Sequence, residues 1–202
     1  MTTTFNITAG PNTDIWRKPP TTDVFNAPTA SAPSPSGPSG PFKLSTFLSA
    51  RASFSSPWRE QYDQAGLLLN FRLASSSNPH PEKWIKTGIE FYNGVPMLST
   101  VACDRWADWS VTPLPTLSSS GEKTWTTISI EREKDGMGDS LWVYLIQDDD
   151  TKIPLREICW VYGDEDPDIW TLEVLAMACR PEKNTIDNLV AQVKDMKVEW
   201  SS

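Results

Sequence analysis

The chain has 202 residues, 39% apolar and 22% charged, with a formal net charge of -8. That length suits one sizeable core rather than two domains. The acidic balance, with no basic clusters, argues against nucleic acid or an anionic membrane surface as a partner.

Ten tryptophans stand out against this ordinary background. An indole is costly to expose and wants a partner for its N–H when buried, so these rings either build a large core or line a ligand surface. The N-terminus, MTTTFNITAGPNTDIW, lacks the basic region and apolar run of a secretory leader. No apolar stretch approaches membrane-spanning length, so the expected location is the cytoplasm. Residues 28–41 (PTASAPSPSGPSGP) can continue neither a helix nor a central strand. They read as a surface loop after a short N-terminal strand region.

From there one pattern recurs: a short alternating or apolar run, then a turn signal. The expected strands are 43–54, 64–73, 84–92, 97–103, 124–132, 140–147, 153–162, 170–179 and 189–200. Between them lie 75–81, Asn93-Gly94, 113–121, 134–138, 148–150, 164–168 and 181–184, rich in the Asn, Asp, Gly, Pro and Ser of turns. Residues 56–63 read as either one helical turn or an irregular strand entry. Many short strands at regular spacing indicate an all-β chain, a jelly-roll sandwich of two antiparallel sheets, with residues 1–202 as a single domain.

Period-2 alternation assigns faces. Ala65, Leu67, Leu69 and Phe71 should point into the core, with Gln64, Gly66, Leu68 and Asn70 opposite. On the next strand Ile85, Thr87, Ile89 and Phe91 share a face, and Trp84, Lys86, Gly88 and Glu90 the other. This second set places a Lys and a Glu on one face, with a Gly that leaves floor space between them. Lys86 and Glu90 are too far apart along the strand for a direct pair. Strand 140–147 is apolar on both faces, with Trp142, Tyr144 and Ile146 forming the second row. That row implies a covered face or a hydrophobic groove, and Arg132 ends the preceding strand beside it. Asp63 has the wrong parity for the polar face.

Cys103, Cys159 and Cys179 are an odd set with wide spacing. They make neither a disulfide framework nor a zinc motif and read as free thiols of a reducing compartment. The only histidine, His80, falls in a polar loop, so a His-based metal site is not expected. The acidic runs 148–150 and 164–166 lack an EF-hand pattern and read as solvated turns.

Several blocks together resemble a known family: YDQAGLLLNF (62–71), KWIKTGIEFYNG (83–94), LSTVACDRWADWS (98–110), PLREICWVYG (154–163) and the terminal ACRPEK…VKDMKVEW. They are similar to the bacterial and fungal family known as domain of unknown function 1349. The resemblance spans about residue 14 to residue 200. It departs mildly at Ala107-Asp108-Trp109-Ser110, where Ser-Asp-Trp-Ser is usual, and in a longer Pro-rich insertion after Ala27. It implies a concanavalin A-like fold, shared with lectins and glucanases, and no particular reaction. The Glu-x-Asp-x-x-Glu strand motif of those glucanases is missing, and glycoside hydrolysis normally needs two facing carboxyls. A hydrolase is therefore disfavoured.

The remaining chemistry is that of a groove with aromatic walls and a polar floor, the usual form of a small-molecule site. Lys86, Glu90 and Gln64 are the expected catalytic groups, with Lys86 as donor to a carbonyl or oxyanion and Glu90 as base or as the group that holds Lys86 in place. Trp84, Asn70, Ser99, Trp109, Arg132, Trp142 and Tyr144 are the expected ligand contacts. No cofactor motif is present. The leading expectation is a cofactor-independent isomerase or cyclase acting on a largely apolar intracellular metabolite. The alternatives are a non-catalytic carbohydrate-binding module and a protein-interaction domain.

Overall fold

The computed structural model of the chain describes residues 3–33, 38–115, 125–164 and 166–201. In chain order the strands are β1 (Thr4–Ala9), β2 (Ile15–Lys18), β3 (Thr22–Phe25), β4 (Thr29–Ala30), β5 (Phe42–Lys43), β6 (Phe47–Ser55), β7 (Gln64–Leu73) and β8 (Lys83–Tyr92). Then come β9 (Val95–Cys103), β10 (Ala107–Pro113), β11 (Thr126–Asp135), β12 (Gly138–Ile146), β13 (Lys152–Ile158), β14 (Trp170–Cys179) and β15 (Leu189–Trp200). They form a six-stranded sheet in the order β1-β15-β6-β11-β12-β13 and a larger sheet in the order β10-β9-β8-β7-β14-β4, with β5 also on β14. Hairpin β2–β3 stands apart from both. The pairings are antiparallel throughout the two sheets. No helix among the described residues is long and apolar enough to cross a membrane.

The core follows from alternation. Ala65, Leu67, Leu69 and Phe71 of β7 and Ile85 and Ile89 of β8 face Leu141, Val143 and Leu145 of β12 and Ile128 and Ile130 of β11 across one apolar layer. The Asn93-Gly94 signal is the β8–β9 hairpin turn: both residues have positive φ, 51° and 82°, as a two-residue turn matched to strand twist requires.

The outward faces are less simple. β7 and β8 are buried on both sides through most of their length. Hairpin β2–β3 packs Ile15 into a second apolar cluster with Leu68, Trp84, Val101 and Cys103, on the outer face of the larger sheet. This cover is why that face buries Gln64, Asn70, Lys86 and Glu90.

Several expected boundaries change. Residues 43–54 divide into β5, a 3-10 turn over Leu44–Thr46, and β6. The strand expected over 153–162 stops at Ile158, and Cys159–Tyr162 form a 3-10 turn. Residues 56–63 contain no helix. The Pro-rich stretch is more than a loop where it is described. β4 and β5 pair with β14, Val174 N–H donates to Ser39 O and Ala178 N–H to Pro28 O. A segment poor in its own regular structure thereby covers the outer edge of β14, which would otherwise present unpaired backbone groups. Residues 34–37 and 116–124, which include parts of the expected loop, turn and strand there, and Glu165 lie outside the described residues.

Candidate functional site

The antiparallel register assembles one polar patch on the outer face of the larger sheet. Gln64 of β7 sits opposite Glu90 of β8, and Gly66 opposite Gly88. Lys86 pairs with Val101 and Gly88 with Ser99 of β9; Trp109 of β10 pairs with Val101. Of these, Gln64, Lys86, Glu90, Val101 and Trp109 border a pocket of about 360 Å³ closed on one side by Asp14, Trp16 and Lys18 of the hairpin and its approach, and on another by Tyr62.

Lys86 is only 3% exposed. Its Nζ donates to Asp14 Oδ1 at 3.1 Å, and it lies 5.8 Å from the Trp16 ring centroid and 5.9 Å from that of Trp84. A buried ammonium needs such compensation. Among the described residues Asp14 is its one hydrogen-bond acceptor, leaving two N–H donors at the pocket. Glu90 is equally buried. Its Oε2 accepts from Ser99 Oγ at 2.6 Å and from Trp109 Nε1 at 2.9 Å. Burial holds the Glu90 carboxyl above its ordinary range; Ser99, the Lys86 charge and Trp109 oppose the shift, and Asp14 adds to it. Lys86 and Glu90 form no direct ion pair, as their spacing requires. Gln64 Nε2 donates to Tyr62 O at 3.2 Å, so its carbonyl oxygen remains as an acceptor.

Aromatic rings form the rim. Tyr92 meets Trp109 edge-on at 5.1 Å, and Tyr62 lies 5.9 Å from Tyr92 and 6.4 Å from Trp109. The patch thus offers donors, acceptors, a buried carboxyl held above its ordinary range, and ring faces.

Of the residues expected from sequence, Lys86, Glu90, Gln64 and Trp109 line the pocket, and Ser99 lies beneath it on Glu90. Trp84 and Asn70 are on the same face but do not line the pocket; Trp84 belongs to the apolar cluster under the hairpin. Arg132, Trp142 and Tyr144 belong to the other sheet and correct the expectation of a single groove. Arg132 pairs with Asp139 and lies over the Tyr162 ring. Trp142 and Tyr144 stack on each other at 6.0 Å, and the Tyr144 hydroxyl donates to Glu133. A sandwich has two outer faces, and alternation reports the parity of a residue without saying which sheet carries it.

The Gly88 gap also has a different cause. An added Cβ on Gly88 would meet Ala65 O at 2.1 Å, and one on Gly66 would meet Thr87 O at 2.1 Å. Close backbone approach, not ligand space, requires glycine here. Asp14, Trp16, Lys18 and Tyr62 were not anticipated. The sequence offers there only an apolar Ile15 between Asp14 and Trp16, too short a pattern to say what the strand covers. Asp149 and Asp150 behave as turn residues: Asp149 accepts from Thr151 N–H, and Asp150, at φ 62°, pairs with Arg51. Among the described residues no group of three or more His, Cys, Asp or Glu could hold a metal ion.

A family model described as "Protein of unknown function (DUF1349)" matches residues 1–200. An uncharacterised Emericella nidulans protein is 47% identical over 167 residues, covering 82% of this chain and 73% of that protein. A functionally unknown protein from Saccharomyces cerevisiae superposes with a TM-score of 0.61 at 21% identity, covering 98% of this chain and 86% of that one. An alginate lyase of polysaccharide lyase family 7 superposes with a TM-score of 0.52 at 12% identity, covering 90% and 74%. The last two similarities speak for a shared jelly-roll β-sandwich fold.

Proposed function

The chain belongs to the DUF1349 family, and from that premise we propose that its pocket binds a small hydroxylated or carbonyl-bearing ring compound and exchanges a proton with it through Glu90, without a cofactor. The observation that carries this reading is the buried Glu90 carboxyl, pushed toward its protonated form and facing the same pocket as the buried Lys86. A perturbed acid in a concave site is a recurrent mark of acid–base chemistry. Lys86, with two donors to spare, would hold and polarise a ligand oxygen. Trp16, Tyr62 and Trp109 would contact the ring faces, so the ligand needs an apolar face as well as polar edges. An isomerisation or cyclisation needs only such proton movement and orientation.

The second reading is a non-catalytic carbohydrate-binding site, favoured by the Tyr62–Tyr92–Trp109 cluster at the rim. The alginate lyase likeness is one of fold and decides nothing between the two. A cytoplasmic setting is part of the proposal and rests on free cysteines, with Cys103 and Cys179 buried and Cys159 exposed. The proposal includes neither nucleic acid nor a membrane as partner.

Tryptophan fluorescence tests it. Wild type and Glu90→Gln are titrated with sugars and with cyclic carbonyl metabolites. The enzyme reading expects a compound that quenches both proteins and is turned over by wild type alone. Binding of sugars by both proteins without turnover would replace it with the second reading, and no saturable response from wild type would remove both.

A further inference from the structure

Asp63 has the wrong strand parity for the polar face, and its role lies elsewhere. It is fully buried, and so, at 1% exposure, is Arg180. Arg180 Nε and Nη2 donate to Asp63 Oδ1 and Oδ2 at 2.8 and 2.7 Å, a bidentate pair. Asp63 Oδ2 also accepts from Arg59 N–H and Glu60 N–H, at 3.1 and 3.0 Å. The carboxylate therefore gathers the whole turn ahead of β7. At the crest of that turn is Tyr62, held at φ 67°, a conformation that a bulky residue adopts only when its surroundings impose it. Tyr62 N–H donates to Phe91 O at 2.8 Å, and its ring closes the pocket beside Trp109.

Arg180 also holds the Asp14 side of the pocket. Its backbone N–H donates to Thr13 Oγ1 at 3.0 Å, and Thr13 N–H donates to Arg180 O at 3.1 Å. Thr13 precedes Asp14, the partner of Lys86. One residue thus grips the Tyr62 wall with its guanidinium and the Asp14 wall with its backbone. Nη1 adds a bond to Asp187 O at 2.7 Å, so the guanidinium has no freedom to turn away.

We infer that Arg180 and Asp63 are positioning residues that lock the two walls of the pocket to each other, so that the Tyr62 ring and the Asp14–Lys86 pair keep one fixed separation. The inference rests on the pocket being a ligand site. Neither residue touches the pocket, so neither is a catalytic residue.

The test needs no ligand. The Glu90 carboxyl is followed by carbon-13 NMR during pH titration of wild type, Asp63→Asn and Arg180→Lys, with Glu199 on the far sheet as a control. The groups facing Glu90 are Lys86 on its own strand, Asp14 and Lys18 from the hairpin side, Tyr62, Gln64 and Trp109 from the turn, β7 and β10, the Ser99 hydroxyl of β9 and the buried Cys179 thiol of β14. All stay in place chemically in both variants. A freed Tyr62 wall admits water, so the Glu90 midpoint should fall toward its ordinary range in variants that still unfold cooperatively, while Glu199 does not move. An unchanged Glu90 midpoint in a folded variant would reduce the pair to a structural tie and overturn the inference. If both variants fail to fold, amide exchange in wild type decides: locked walls require Tyr62 and Thr13 N–H to open together, with protection that falls in step as denaturant is added. A Thr13 amide that exchanges on the order of 100-fold faster than Tyr62 would refute the lock. Because ligand titration plays no part, a negative ligand screen would remove the proposed function and leave this result standing.

Discussion

Replacing Gly88 by alanine should destabilise the fold from directly beneath the pocket. The new Cβ would lie 2.1 Å from Ala65 O and 2.5 Å from the Gly66 Cα, where ordinary contact begins near 3.4 Å. Every obstructing atom is backbone, so no rotamer change relieves the clash, and β7 must move away from β8. Both strands are central and buried, which makes that movement expensive. Overpacking costs about 1–3 kcal/mol, and a clash against backbone belongs at the upper end, about 3 kcal/mol. For a domain of this size that corresponds to a fall in Tm of about 6–12 °C. Thermal and urea unfolding followed by circular dichroism would measure it. Gly136→Ala is the control: a Cβ there meets nothing within 4 Å, and its effect should stay within about 0.5 kcal/mol. If Gly88→Ala melts within about 2 °C of wild type, the close approach is not what requires glycine, and the floor-space explanation returns.

Other perturbations follow from the same contacts. Arg180→Met strands the fully buried Asp63 without its counter-ion and should cost about 3–5 kcal/mol in urea unfolding; adding Asp63→Asn, which keeps an acceptor for the Arg59 and Glu60 amides, should recover part of that loss. The Glu90 pKa is raised in the folded state, so the native protein binds more protons than the unfolded chain between the ordinary glutamate range and the folded value. Its contribution to stability is therefore lost as pH rises through that window, and Glu90→Gln should show a shallower decline there in parallel unfolding curves. Trp109→Phe removes one donor to Glu90, so the Glu90 midpoint seen by carbon-13 NMR should rise further, the opposite direction to that expected of Asp63→Asn.

The fold was legible because its signals are local. Alternation in 64–73 and 84–92 placed the core rows correctly, and Asn93-Gly94 marked its hairpin turn. Half of the pocket was legible for the same reason: Gln64, Lys86 and Glu90 share parity on strands adjacent in sequence. Trp109 was identified too, although the strand that carries it was not. The other half depends on contacts distant in sequence. Nothing local in Asp14 or Trp16 says that a four-residue strand will lie over β8, 72 positions from Asp14 to Lys86. Tyr62 reaches the pocket only through a left-handed backbone, which parity cannot anticipate. Trp142 and Tyr144 failed for the converse reason: their doubly apolar strand is real, with its inner row in the core and its outer row on the opposite side of the sandwich.

The central claim is that the pocket between hairpin β2–β3 and the larger sheet is the ligand site. It is tested most directly by fluorescence titration of wild type, Lys86→Ala and Trp142→Ala with the same sugars and cyclic carbonyl metabolites. The account predicts saturable quenching in wild type and Trp142→Ala that disappears in Lys86→Ala. Quenching that survives in Lys86→Ala and vanishes in Trp142→Ala would place the ligand on the other sheet and contradict it.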